Sequence, residues 1–171
     1  MIKFDRFVLK NGLKVLVHKD LSTPMAVVNV LYDVGARDET ASKTGFAHLF
    51  EHLMFMGTER VPGNQFDVLM EQGGGSNNAS TTEDRTNYFS EGPAKLLPTL
   101  LWLDADRLED LGRTMTKEKL DLQRDVVRNE IRQNVENTPY GRSRERIYRL
   151  MFPAGHPYHE AVYGTHQDLE A

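Results

Sequence analysis

A chain of 171 residues, 39% hydrophobic and 27% charged, is long enough to bury a real core and lies outside the compositions of disordered and membrane-spanning proteins. Its net charge of −4 is spread along the chain without a basic block, which argues against a nucleic-acid surface. It has no cysteine, so disulfides and thiolate metal sites are excluded and any metal must be held by His, Asp or Glu.

In chain order, "FDRFVLKNGLKVLVHKD" alternates apolar positions around Asn11-Gly12 and predicts a hairpin. "MAVVNVLYDVGARDE" follows as a strongly apolar strand buried on at least one face, and residues 36–44 read as a loop. The oily stretch around "HLFEHLMFMG" (48–57) predicts a helix stopped by Gly57. Residues 64–72 read as helix, "GGGSNNAS" as a break, and "STTEDRTNYFS" as a strand. From Pro93 onward three helices are expected, in "LLPTLLWLDADRLEDL", "TKEKLDLQRDVVRNEIRQNVEN" and "SRERIYRLMF". "PAGHPYHEAVYGT" reads as a loop, and Thr165 as the N-cap of a last helical start.

Early strands and later helices predict an α+β fold, an antiparallel or mixed sheet with helices packed on one face. A chain that stops just after beginning a helix is expected to be a fragment of its domain. No stretch approaches the roughly 20 apolar residues of a membrane span, and no signal peptide is visible at the N-terminus. The compartment, cytoplasm or periplasm, is left open, because a precursor segment could have been removed.

The chemistry is concentrated in the oily helix. His48 and His52 lie one turn apart on one face and can reach a common point, with Glu51 close beside them. Apolar residues occupy nearly every other direction, so the helix is expected to be buried on all sides. Buried imidazoles and carboxylates need partners. For a single histidine the plain reading is a hydrogen-bonded core residue; for His-x-x-Glu-His on a buried helix the better reading is a metal site, the signature of inverzincins. A catalytic zinc takes three protein ligands and keeps one position open. On the helix containing "LDLQRDVVRNEIRQN", Glu130, Gln123 and Asn134 fall within the apolar arc of Leu120, Val126, Val127 and Ile131. That stripe is either a structural hydrogen-bond cluster or the source of the third ligand, for which Glu130 leads.

These residues resemble the pitrilysin-like M16 metallopeptidases, a family that includes insulin-degrading enzymes and mitochondrial processing peptidases. "HLFEH" (48–52) is similar to the family's zinc motif, and "VVRNE" ending at Glu130 to the segment that donates its downstream glutamate. "GFAHLFEHLMFMGT", "GGGSNNASTTEDRTNYF" and "HPYHEAVYGT" follow in the family's order, so the likeness runs from about Phe7 to the end. The resemblance implies an incomplete N-terminal zinc-bearing domain over 1–171. In it His48, His52 and Glu130 would bind Zn²⁺, and Glu51 would deprotonate the attacking water and pass the proton to the leaving amine. It also implies an edge strand near Asn78–Thr82 that pairs with an extended peptide substrate through Asn78 and Ala79.

Two departures stand out. Many active members carry a second glutamate where this chain has Gln123, which could hydrogen-bond a ligand but brings no charge. The family's second half, which closes over the peptide and holds the developing oxyanion, is also absent, so a C-terminal half or a homologous subunit is the implied partner. Two rival functions remain: a non-catalytic family subunit that keeps the fold as a scaffold, and a small metal-dependent lyase or amidase.

Overall fold

The computed structural model describes residues 2–170. β1 (Asp5–Val8) and β2 (Lys14–Val17) form a hairpin in the register Phe7↔Val15. Its turn is fixed by Gly12 at φ +90° and by Asn11 Oδ1, which accepts the Leu13 N–H at 3.1 Å.

The main sheet is antiparallel throughout, ordered β3-β5-β4 with β3 at Met25–Tyr32, β4 at Ser76–Thr81 and β5 at Thr86–Pro93. Alternation sorts its faces. Thr86, Tyr88 and Ser90 of β5 point inward and are buried, while Met25, Val27 and Leu31 of β3 face out and are exposed. The helices α1 (Phe46–Leu53), α2 (Gln65–Gly73) and α3 (Leu97–Thr114) cover the inner face. α4 (Lys117–Ile131) packs on α1, and α5 (Ser143–Met151) follows after a π-helical segment at Arg132–Glu136.

Four expectations are corrected. "STTEDRTNYFS" is not one strand: Thr82–Arg85 is a turn closed by the Thr82 N–H to Arg85 carbonyl bond at 2.8 Å, and the supposed break "SNNAS" is most of β4. Polar residues suit β4 because its free edge and outer face are open to solvent. Gly57 does not end α1; the helix stops at Leu53, a tighter turn runs to Met56, and Gly57 at φ +76° reverses the chain toward a bridge with Pro62. Nor is that helix buried all round, since Phe50 is 57% exposed. The long helix expected over 116–137 is α-helical only to Ile131. Thr165, by contrast, caps the expected last turn by accepting the Asp168 N–H at 3.1 Å.

Two apolar clusters hold these elements. Val61, Phe66, Met70, Leu100 and Leu103 join α2 and α3 beneath the sheet. Leu49 and Leu53 of α1, Val127 and Ile131 of α4, and Leu169 form the second, each 6% exposed or less. Each such side chain contributes about 1.5–3 kcal/mol by leaving water.

Charged side chains of α3 also lie in this interior, among them Asp104, Asp106, Arg107 and Asp110. Arg107 of α3, 4% exposed, pairs with Asp104 one turn away and faces the rings of Tyr88, Phe66 and Phe55 at 4.6, 5.1 and 5.5 Å. A delocalised guanidinium tolerates such a cage through its attraction to ring faces. Removing one member of a buried pair strands the other. Arg107→Leu is therefore expected to cost about 3–5 kcal/mol in urea unfolding, with most of the loss recovered in the Asp104→Leu/Arg107→Leu double variant. A single variant of near wild-type stability would contradict this account.

Candidate metal centre

The centre lies where α1 crosses α4. Both elements are fixed from outside the site. The N-terminus of α1 leaves backbone N–H groups unpaired, and Glu39 fills that need: its two carboxylate oxygens accept the Gly45 and Ala47 N–H groups at 2.8 and 2.7 Å. The segment after α5 returns to the same corner. Thr44 donates to Asp168 Oδ2 at 2.5 Å, Arg128 of α4 pairs with Glu170 at 2.8 Å, and Leu169 enters the core. Gly45 and Gly164 make that return possible. A Cβ on Gly45 would lie 2.4 Å from the Tyr163 carbonyl oxygen, one on Gly164 2.3 Å from the Thr44 carbonyl, and both have positive φ.

Packing α1 on α4 brings the histidines to the carboxylate. His52 Nε2 and His48 Nε2 stand 3.2 and 3.7 Å from Glu130 Oε2, and the ligand atoms of the three residues all lie within 4.8 Å of one another. The imidazole rings are edge to face, 4.8 Å between centroids. Bonds of about 2.0–2.2 Å to a tetrahedral zinc set neighbouring ligand atoms about 3.3–3.5 Å apart, which the two distances to Glu130 nearly match.

The electrostatics suit a cation as well. Burial pushes the His48 imidazole down to about 4, outweighing the nearby Glu130 carboxylate, so the ring is neutral near pH 7 with a lone pair to give. The His52 hydrogen bond holds Glu130 below the usual carboxylate range, and burial opposes it. His48 Nδ1 is buried with no hydrogen-bond partner among the described residues, and its Nε2 is beyond hydrogen-bond reach of Glu130. A cation would take the Nε2 lone pair, which no donor among the described residues uses, while Nδ1 carries the ring proton. The donor set and its spacing thus fit Zn²⁺.

Glu51 lines the same cleft, a cavity of about 640 Å³. Burial raises its carboxyl above the ordinary range, while the Thr81 hydroxyl, donating to its Oε2 at 2.5 Å, opposes the rise. Thr81 is the last residue of β4, so the edge strand itself orients Glu51.

The other expected residues are placed as follows. β4 is an edge strand among the described residues, and Asn78 sits on it with its Oδ1 accepting the Ala79 N–H at 2.8 Å. Gln123 lies on α4, and its amide donates to Met56 Sδ at 2.7 Å rather than to one of the three candidate ligands. The stripe on α4 is centred on Val127 and Ile131, with Val126 40% exposed, so Glu130 stands at its edge facing the cleft. Sequence reasoning missed Thr81 and Tyr163. Tyr163 reaches the site from a segment read as plain loop, where no periodicity marks which side chains point inward.

The fold and site together define an α+β unit with a candidate His-His-Glu metal centre between two of its helices. The family profile "Insulinase (Peptidase family M16)" matches residues 14–162, and the chain belongs to that family. It is 35% identical over 169 residues to the zinc protease PqqE of Helicobacter pylori, covering 98% of this chain and 37% of that protein. It is also 32% identical over 171 residues to the A-factor-processing enzyme of Saccharomyces cerevisiae, covering 96% of this chain and 16% of the enzyme. Against the cytochrome b-c1 complex subunit 1 of Rattus norvegicus the identity is 35% over 165 residues, covering 95% and 33%. A crystal structure of a Helicobacter pylori protease superposes with a TM-score of 0.93 at 34% identity, over 99% of this chain and 40% of that one. Pitrilysin, at 23% identity and a TM-score of 0.84, shares the fold over 98% of this chain and 18% of its own. The chain spans well under half the length of these relatives.

The corner that carries the histidines should respond to pH through Glu39. Burial is the largest influence on its carboxyl and, with the charge of Asp168, raises it from 4.5 to about 7 against the pull of the Gly45 and Ala47 N–H groups. The folded value exceeds the unfolded one, so this group's contribution is whole below about pH 4.5 and is lost as pH rises through about 7. The stability of wild type relative to Glu39→Gln, read from denaturant unfolding, is therefore expected to fall across that window. A difference that is flat with pH would refute it.

Proposed function

We propose that this chain is the metal-bearing part of a zinc-dependent endopeptidase that cleaves internal bonds of unfolded peptides or small proteins. The observation that carries the reading is the meeting of His48, His52 and Glu130 around one point, with Glu51 in the same cleft. In this proposal His48, His52 and Glu130 hold Zn²⁺ and leave one corner open to solvent. Zinc, when bound, supplies Lewis acidity that polarises the scissile carbonyl and makes water easier to deprotonate.

The remaining chemistry belongs to side chains. Glu51 takes the proton of the attacking water and returns it to the leaving amine, and the rise of its carboxyl with burial suits a group that must do both. Thr81 keeps one Glu51 oxygen engaged, so the other is free to face the reacting water. An extended peptide would lie along the free edge of β4 beside Asn78 and Ala79, where pairing at Ala79 requires the Asn78 side chain to give up that N–H. Residues 1–171 would be an incomplete domain, completed by a C-terminal half or a homologous subunit; the greater length of its relatives supports this.

A second reading, a non-catalytic scaffold subunit, is favoured by the likeness to the cytochrome b-c1 complex subunit. The two part at Glu51, which no scaffold requires. Metal analysis of the purified chain is expected to give about one zinc per chain. Glu130→Ala should weaken zinc binding by more than the roughly 10–100-fold that loss of an outer hydrogen bond costs. Glu51→Gln, made in the complete protein, should retain zinc and lose at least about 100-fold in peptide hydrolysis. The 171 residues alone should hydrolyse little, because a missing half would contribute substrate grip and charge stabilisation. A chain that binds no metal ends the zinc reading; an active Glu51→Gln protein ends the assigned role of Glu51.

A further inference from the structure

The two oxygens of Glu130 do different things. Oε2 faces both imidazoles, at 3.2 and 3.7 Å. Oε1 faces away and accepts two hydrogen bonds, from the Tyr163 hydroxyl at 3.0 Å and from the Asn134 amide at 3.3 Å. Asn134 also donates to the Tyr163 oxygen at 3.3 Å, so the three groups close a small ring. Tyr163 touches the site a second time: its ring stands edge-on to His48, 4.9 Å between centroids at 83°.

We infer that Tyr163, aided by Asn134, is a positioning residue that fixes Glu130 as a one-oxygen ligand. This rests on the zinc site proposed above. A carboxylate whose Oε1 is already hydrogen-bonded twice has only Oε2 left for a cation, and it cannot swing both oxygens inward and crowd the corner kept for water. The Tyr163 ring meanwhile limits the tilt of the His48 imidazole. One side chain thus acts on a ligand from α1 and a ligand from α4.

The backbone at both residues suits the task. Asn134 lies four residues after Glu130 inside the π-helical segment Arg132–Glu136, a distortion frequent at functional sites. Tyr163 precedes Gly164, whose close approach to Thr44 pins the segment against the start of α1.

The test uses Tyr163→Phe in the full chain, which removes the hydroxyl and keeps the ring. Zinc affinity by chelator competition is expected to fall roughly 10–100-fold, with the melting temperature of the metal-free protein unchanged. The visible spectrum of the Co²⁺-loaded variant should lose intensity as the freed carboxylate binds through both oxygens and raises the coordination number. Asn134→Ala, which leaves the Tyr163 bond in place, should shift both readings in the same direction by a smaller amount. Zinc affinity within twofold of wild type and an unaltered Co²⁺ spectrum would overturn the inference, as would an affinity loss matched by an equal loss of metal-free stability. Failure of the unsubstituted chain to bind zinc removes the site itself, and is told apart because it shows before any substitution is made.

Discussion

The structure turns on the contact between α1 and α4. Leu49 and Leu53 on one helix meet Val127 and Ile131 on the other, with Leu169 closing the cluster from the end of the chain. Because polar side chains on the same helices are carried by this packing, the distance from the imidazoles to Glu130 is set by the fit of aliphatic side chains. A loose core here would leave the His pair and the carboxylate as three unrelated surface groups.

The surroundings guard that contact. Glu39 and the Thr44–Asp168 pair hold the start of α1, and Arg128–Glu170 ties the returning chain to α4. Glycines at 45 and 164 let the two backbones touch where a Cβ would forbid it. Residues 161–170 are in this sense part of the site's frame, although they are nearly without regular structure. The sheet contributes from the other side, where the end of β4 delivers Thr81 to Glu51.

The centre is also divided by charge state. Burial leaves His48 neutral, while a direct hydrogen bond keeps Glu130 ionised and burial lifts Glu51. Two glutamates in one cleft are thereby made unequal, one suited to hold a cation and the other to exchange a proton. The difference follows from partners: Glu130 has His52, Tyr163 and Asn134, whereas the hydrogen bond of Glu51 comes from a single threonine hydroxyl.

By itself the sequence determined what depends on local spacing. His48, Glu51 and His52 fall on one helical face whatever the rest of the chain does, and Asn11-Gly12 turns a hairpin through its own backbone preferences. Glu130 was legible as a polar residue on an apolar stripe and as the leading third ligand for the His pair, although that helix alone suited a structural hydrogen-bond cluster equally well. What only the tertiary structure decided involves segments far apart in the chain. The pairing of β4 with β5 made a strand of residues with poor strand propensity, because the ladder to β5 outweighs intrinsic preference. The arrival of Tyr163 at Glu130, and the turning of Gln123 toward Met56, depend on how helices and an irregular loop pack. No period in the sequence encodes such contacts, since a loop side chain is aimed by its neighbours in space.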